Sequence, residues 1–90
     1  MYSLRLYVSG LGPGAQRQIA GVRALLDDTC PGAYELAVFD IFDDPVQARE
    51  DTVYATPTLL RLWPPPPSRL IGDLSDPKRV AAALALSASG

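Results

Sequence analysis

Ninety residues, 48% hydrophobic, 8% aromatic and 20% charged, suit one compact domain over residues 1–90 with a single small core. The formal charge of −2, with ten acidic against eight basic side chains and Lys78 the sole lysine, provides no basic stripe for a nucleic-acid backbone. Nothing approaches the run of about 18 apolar residues that a membrane span needs, and the opening MYSLRLYVSG lacks the features of a secretory signal, so a cytoplasmic protein with neither membrane nor nucleic-acid partners is expected.

Tyr2 to Ser9 alternates, with Tyr2, Leu4, Leu6 and Val8 on one side and Ser3, Arg5, Tyr7 and Ser9 on the other, which predicts a first strand. Pro13 then suits a first helical position, and Ala15, Ile19, Val22 and Leu26 make the apolar stripe of an amphipathic helix running to about Asp28. Pro31 and Gly32 end it. Tyr34 to Phe42 is rich in strand formers and apolar on both sides after Glu35, as a strand covered on both faces would be. Asp44 as cap and Pro45 at the first helical position open a short charged helix. Ala55 to Trp63 and Ser68 to Asp73 read as two further strands joined by Pro64 to Pro67, which cannot donate to a sheet ladder. Ser75 or Asp76 caps a last helix, with Pro77 near its start and an alanine-rich run carrying it towards Ser89. The order is βαβαββα, without internal repeats, and the first βαβ unit should be parallel and right-handed.

The glycine-rich turn after the first strand carries the chemically suggestive residues. Gly10, Gly12 and Ala15 match G-x-G-x-x-A between strand and helix, with Asp40 where a ribose-binding acid would stand, which outlines a dinucleotide-binding fingerprint. Pro13 removes one amide from that turn, and the chain has no room for a second mononucleotide-binding half. Cys30 is alone, so no intrachain disulfide, thiol pair or thiolate zinc cage forms, and a degenerate redox domain would have to rely on that single thiol. With no histidine, the commonest metal ligand and neutral-pH acid–base group is missing. No catalytic or metal-binding set is assigned, and no cofactor is expected.

The Thr56-Pro57 pair opening the third strand fits the pattern of thioredoxin-like folds, in which that proline is characteristically cis. Further residues make the likeness specific. LYVSG at Leu6 to Gly10, Asp40, Asp44-Pro45, ATPTL at Ala55 to Leu59, the prolines from Pro64, and IGDLS at Ile71 to Ser75 together resemble the KaiB family of circadian-clock proteins. The resemblance implies a non-enzymatic regulator that binds a KaiC-type ATPase ring and, once bound, recruits KaiA or a histidine kinase. It also implies two folds: a monomeric thioredoxin-like state with a four-stranded mixed sheet of order 2-1-3-4 and three helices, and a tetrameric ground state. Asp43 stands where family members usually carry a lysine, so the charge of this segment is reversed. The sequence also closes on LSASG where clock members commonly carry a charged extension.

In a 2-1-3-4 sheet the second strand is an edge that a partner strand can extend. Phe42 and Val46 are the expected apolar anchors beside it, with Asp40, Asp43, Asp44, Arg49 and Asp51 as charged surroundings that seek a basic partner. Pro57, Pro64, Pro65, Pro66, Gly72 and Asp73 are the candidate structural or switch positions. Of these, Gly72 and Asp73 also suit an ordinary turn leading to a helix cap. The alternative function is a small-ligand or nucleotide-binding domain built on Gly10 to Gly14, or the degenerate redox domain.

Overall fold

The alternation in β1 (Tyr2–Val8) sends Tyr2, Leu4, Leu6 and Val8 into one apolar layer and Tyr7 into another on the opposite face. The computed structural model describes residues 1–88. After β1 the chain forms α1 (Pro13–Thr29), β2 (Tyr34–Asp40), α2 (Pro45–Glu50), β3 (Thr58–Trp63), β4 (Ser68–Ile71) and α3 (Pro77–Ala83). The sheet order is β2-β1-β3-β4. β1 and β2 are parallel with Leu4 opposite Leu36, β3 lies antiparallel to β1 with Thr58 opposite Tyr7, and β4 lies antiparallel to β3 with Ile71 opposite Thr58. This is the thioredoxin-like α/β arrangement that the element order implies, and Thr56-Pro57 is cis.

Two layers of side chains hold it. Leu4, Leu6, Val8 and Leu59 from the sheet meet Val22 and Leu26 of α1, Val80 of α3 and Leu84 just after it in the larger one. The smaller packs Tyr7 and Leu60 against Ala48 of α2, with Phe39, Ile41 and Val53 around them. Tyr7 and Phe39 stack there with ring centroids 5.1 Å apart.

Several boundaries differ from the sequence reading. β2 stops at Asp40 instead of reaching Phe42, because the carbonyl of Asp40 turns to accept from the amides of Asp43 (3.0 Å) and Asp44 (2.9 Å). Nor is β2 covered on both faces. It is the edge, and Glu35 and Ala37 are exposed because α2, six residues long, reaches only the Phe39 end. β3 starts at Thr58, not Ala55, where Thr58 Oγ1 donates back to the Ala55 carbonyl at 2.6 Å and closes a turn before the strand. β4 ends at Ile71, where Gly72 takes φ +100°, a conformation glycine adopts without steric cost. Asp44 occupies the cap position of α2 but its side chain makes no capping bond, whereas Asp76 caps α3 by accepting from the amides of Lys78 and Arg79. α3 closes at Ala83 because Ala85 enters the left-handed region at φ +53°. Tyr2 Oη then donates to the carbonyls of Ala85 (3.5 Å) and Ser87 (3.3 Å), fixing the tail against β1. Ser89, the far end of the expected helical run, lies outside the described residues.

Candidate functional site

β1, β2 and β4 all point the same way, so the loops after them, with the segment entering β3, gather at one end of the sheet. Asp40 organises that end. Its Oδ1 accepts from the amides of Gly10 (2.9 Å) and Phe42 (3.0 Å), tying the glycine turn to the β2–α2 loop, and Gly10 sits at φ +77°. The acid that matched a ribose-binding position is thus engaged by the turn itself, and it holds an amide the turn would otherwise offer a phosphate. Ser9 and Thr56 share a hydroxyl hydrogen bond, and Gly72 donates its amide to the Pro57 carbonyl at 2.9 Å.

With the loop fixed from below, Phe42 is 73% exposed and Val46 is 59% exposed. Asp43 and Arg49 are exposed beside them and Asp44 is half-buried. Asp51 is placed differently. It lies just past the end of α2, where its carboxylate accepts from Arg5 Nη1 at 3.0 and 2.8 Å and from Tyr7 Oη. Burial pushes its pKa up, but the hydrogen bonds from Tyr7 and Arg5 outweigh that and hold the carboxyl below the usual range. Burial and the same carboxylate push the Tyr7 phenol up to about 12. The structure therefore groups Phe42, Asp43, Asp44, Val46 and Arg49 on the surface. Asp40 and Asp51 serve as internal braces beneath them.

Comparison with known proteins settles the lineage. A family model described as KaiB domain matches residues 5–86. The chain belongs to the KaiB family. It is 45% identical to the circadian clock oscillator protein KaiB of Prochlorococcus marinus (strain MIT 9303) over 94% of this chain and 71% of that protein. Identity is also 45% to the protein of the same name from Parasynechococcus marenigrum (strain WH8102), over 94% of this chain and 82% of the relative. Among solved structures, the N-terminal domain of Synechococcus elongatus SasA superposes with a TM-score of 0.74 at 24% identity, over 89% of this chain and 79% of that one. A chain from a structure described as the structural basis of the thiol resolving mechanism in yeast mitochondrial 1-Cys peroxiredoxin via glutathione/thioredoxin systems superposes with a TM-score of 0.72 at 14% identity, over 93% of this chain and 76% of that one. At these identities the two structures show the shared fold.

In this KaiB-family chain the prolines among the candidate switch residues, Pro64 and Pro66, meet a side chain outside the predicted set. Arg61 of β3 is 6% exposed, and no carboxylate lies within salt-bridge reach of it among the described residues. Its guanidinium donates instead to carbonyls: Nε to Leu84 at 2.7 Å, Nη2 to Pro66 at 3.0 Å, and Nη1 to Pro64. Leu84 is the C-cap of α3, so the cation also meets the negative end of that helix. The proline connection contains cis bonds at Trp63-Pro64 and Pro65-Pro66, and Pro65 is exposed between the two residues Arg61 holds. Gly72 makes the turn after β4, and Asp73 Oδ1 accepts from the Ser75 amide at 2.9 Å. The period of two carried a partial signal for Arg61, which shares its parity with buried Leu59, but so does Trp63, which is exposed.

Cys30 caps the C-terminus of α1 and is 1% exposed within the larger core. Burial, aided by the nearby Asp27 carboxylate, pushes its thiol pKa up, the reverse of what a nucleophilic thiol needs. Native protein is expected to resist iodoacetamide, with alkylation appearing only as denaturant unfolds the chain, and Cys30→Ser should leave partner binding unchanged. Rapid alkylation of the native state would contradict this placement. No group of three or more metal-ligating side chains occurs among the described residues, and no helix there is long and apolar enough to cross a membrane.

Proposed function

We propose that this chain is a non-enzymatic clock regulator of the cytoplasm that docks on a KaiC-type ATPase ring, and that KaiA or a histidine kinase is recruited to the docked protein. The docking surface is the β2–α2 corner, with Phe42 and Val46 as anchors and Asp43, Asp44 and Arg49 as rim. One observation carries this reading. Two large apolar side chains are held out to solvent by a loop that Asp40 fixes with two hydrogen bonds, so the anchors are presented without an ordering cost on binding. The Asp43-Asp44 pair adjoining them favours a basic partner patch. The adjacent β2 edge offers main-chain groups of Tyr34 to Asp40 to a second partner strand. The docking state is the monomeric thioredoxin-like one described above. A homotetramer belongs to the alternative fold implied by the family resemblance.

The test is binding of purified protein to a KaiC-type ATPase ring. Phe42→Ala and Asp43→Arg should each weaken binding about ten-fold or more while circular dichroism stays native. Trp63→Ala, at the opposite end of the sheet, should bind like the parent. If Trp63→Ala or Arg69→Ala abolishes binding and the first two variants do not affect it, the surface is at the wrong end.

A further inference from the structure

Among the described residues, seven large apolar side chains are exposed, and their distribution is uneven. Leu11, Phe42, Val46, Tyr54 and Ile71 all belong to the end of the sheet that carries the Asp40 knot, while Met1 and Trp63 belong to the other. Tyr54, at 89%, is the most exposed of all. Its neighbour Val53 is anchored in the α2-side core, and Thr56 is bonded to Ser9, so the tyrosine sits on a segment pinned on both sides. Ile71 pairs across from Thr58, which pairs with Tyr7, so all three face the α2 side.

The connections themselves are laced together in sheet order. The β2–α2 loop bonds to the glycine turn through Asp40 and Gly10, the turn to the β3 entry through Ser9 and Thr56, and that entry to the β4 exit through Pro57 and Gly72. Four strands at about 4.8 Å spacing make this row roughly 14 Å wide. The charged side chains of these connections are aspartates, Asp43 and Asp44 at the β2 end and Asp73 and Asp76 at the β4 end, and no Lys or Arg occurs in residues 9–12, 41–44, 52–57 or 71–76; Arg49 and Arg79 stand beside them on the helices, Arg79 donating to the Asp73 carbonyl at 2.8 Å.

Resting on the docking reading above, we infer that the docking surface continues along this whole row to Tyr54 and Ile71, and that its partner is a protein ridge with apolar side chains along its crest and cationic side chains towards both ends. The shape decides the length of the ridge, because anchors at the two ends of a row held by hydrogen bonds move as one body. The charge decides its flanks, because aspartates at both ends of an apolar strip repel an acidic or symmetric-charge partner and accept a basic one. Hydrogen bonds from Ser75, with the positive charge of Arg79 close by, hold the Asp73 carboxyl below the usual range.

The experiment measures binding of the KaiC-type ATPase ring to the parent, Phe42→Ala, Tyr54→Ala, Ile71→Ser and Trp63→Ala at two salt concentrations. Tyr54→Ala is expected to weaken binding about ten-fold, as Phe42→Ala does, with Ile71→Ser impaired in the same direction and Trp63→Ala unchanged. Parent affinity should fall as salt rises. Tyr54 is so exposed that its removal leaves the fold intact, which keeps the result interpretable if Ile71→Ser unfolds. Loss of binding in Phe42→Ala with parental affinity in Tyr54→Ala overturns the continuous row and leaves the corner reading standing. Absence of parent binding, or indifference to Phe42→Ala, overturns both.

Discussion

Arg61→Met is expected to lower the stability of the fold by about 3 kcal/mol, seen as a drop in Tm of about 15 °C for a chain of this length. The methionine fills the volume of the side chain stem but donates nothing, so the Leu84 carbonyl at the end of α3 and the carbonyls of Pro64 and Pro66 all lose their partner. Hydrogen bonds to a charged donor are the stronger kind, and the Leu84 contact is the buried one of the three. Against this stands the cost of burying a guanidinium, which methionine relieves. The carbonyls win because Arg61 has three of them in a planar fork and loses little freedom in meeting them. Arg61→Lys keeps the charge but cannot span three acceptors, so it should fall between the two, at about half the loss. Equal stability of parent and Arg61→Met in urea titration would show that desolvation cancels the bonds.

The second large effect belongs to Asp51. Asp51→Ala is expected to cost about 2 kcal/mol, since it leaves the Arg5 guanidinium and the buried Tyr7 hydroxyl without their shared acceptor. The pH dependence has a definite sign at both ends. Asp51 has a folded pKa below its ordinary value of about 4, so its contribution is present above that pH and is lost as pH falls through the folded value. Tyr7, pushed up to about 12, stays protonated in the folded state after an unfolded tyrosine has ionised. Its contribution is therefore present below about pH 10 and is lost as pH rises towards the folded value. A spectroscopic tyrosine titration should show a phase near 12 that Tyr7→Phe removes. In Asp51→Ala the Tyr7 phase should move down while staying above the ordinary value, because burial persists when the carboxylate is gone. An unchanged Tyr7 phase in that variant would sink the assignment of the bond.

Period-two alternation in Tyr2 to Val8, the stripe of Ile19, Val22 and Leu26, and the prolines at the starts of three helices were enough to read the βαβαββα order from the sequence. These are local signals, and here local preference and tertiary packing agree. What escaped was decided at a distance. The Asp40 side chain is held by the amide of a glycine thirty residues earlier, and Asp51 turns inward because α2 is short enough to leave it beneath Arg5 and Tyr7. Neither pairing has a signature in its own segment. α3 was over-extended for a related reason: alanine propensity favours more helix after Ala83, but Tyr2 takes the carbonyls of Ala85 and Ser87 from the other end of the chain. The corner formed by Phe42, Asp43 and Val46 was visible in the sequence, since apolar residues among charges beside an edge strand are unusual. Tyr54 and Ile71 were not, because only the sheet order brings their segments to the same end.

The brevity of α2 has a mechanical consequence. Six residues cannot sustain a helix by their own hydrogen bonds, so α2 is held from outside, by ropes thrown from the sheet. Arg5 reaches up from β1 to the Asp51 carboxylate, and Arg69 reaches across from β4 to the carbonyls of Asp51 and Thr52. Both ropes are fastened at the last turn, while Tyr7 Oη of β1 donates to the Gln47 carbonyl in the first. A pull on Val46 would load these fastenings together, and the tension would arrive at β1 and at β4. Traction on one corner of the molecule is thus felt from a central strand to a sheet edge.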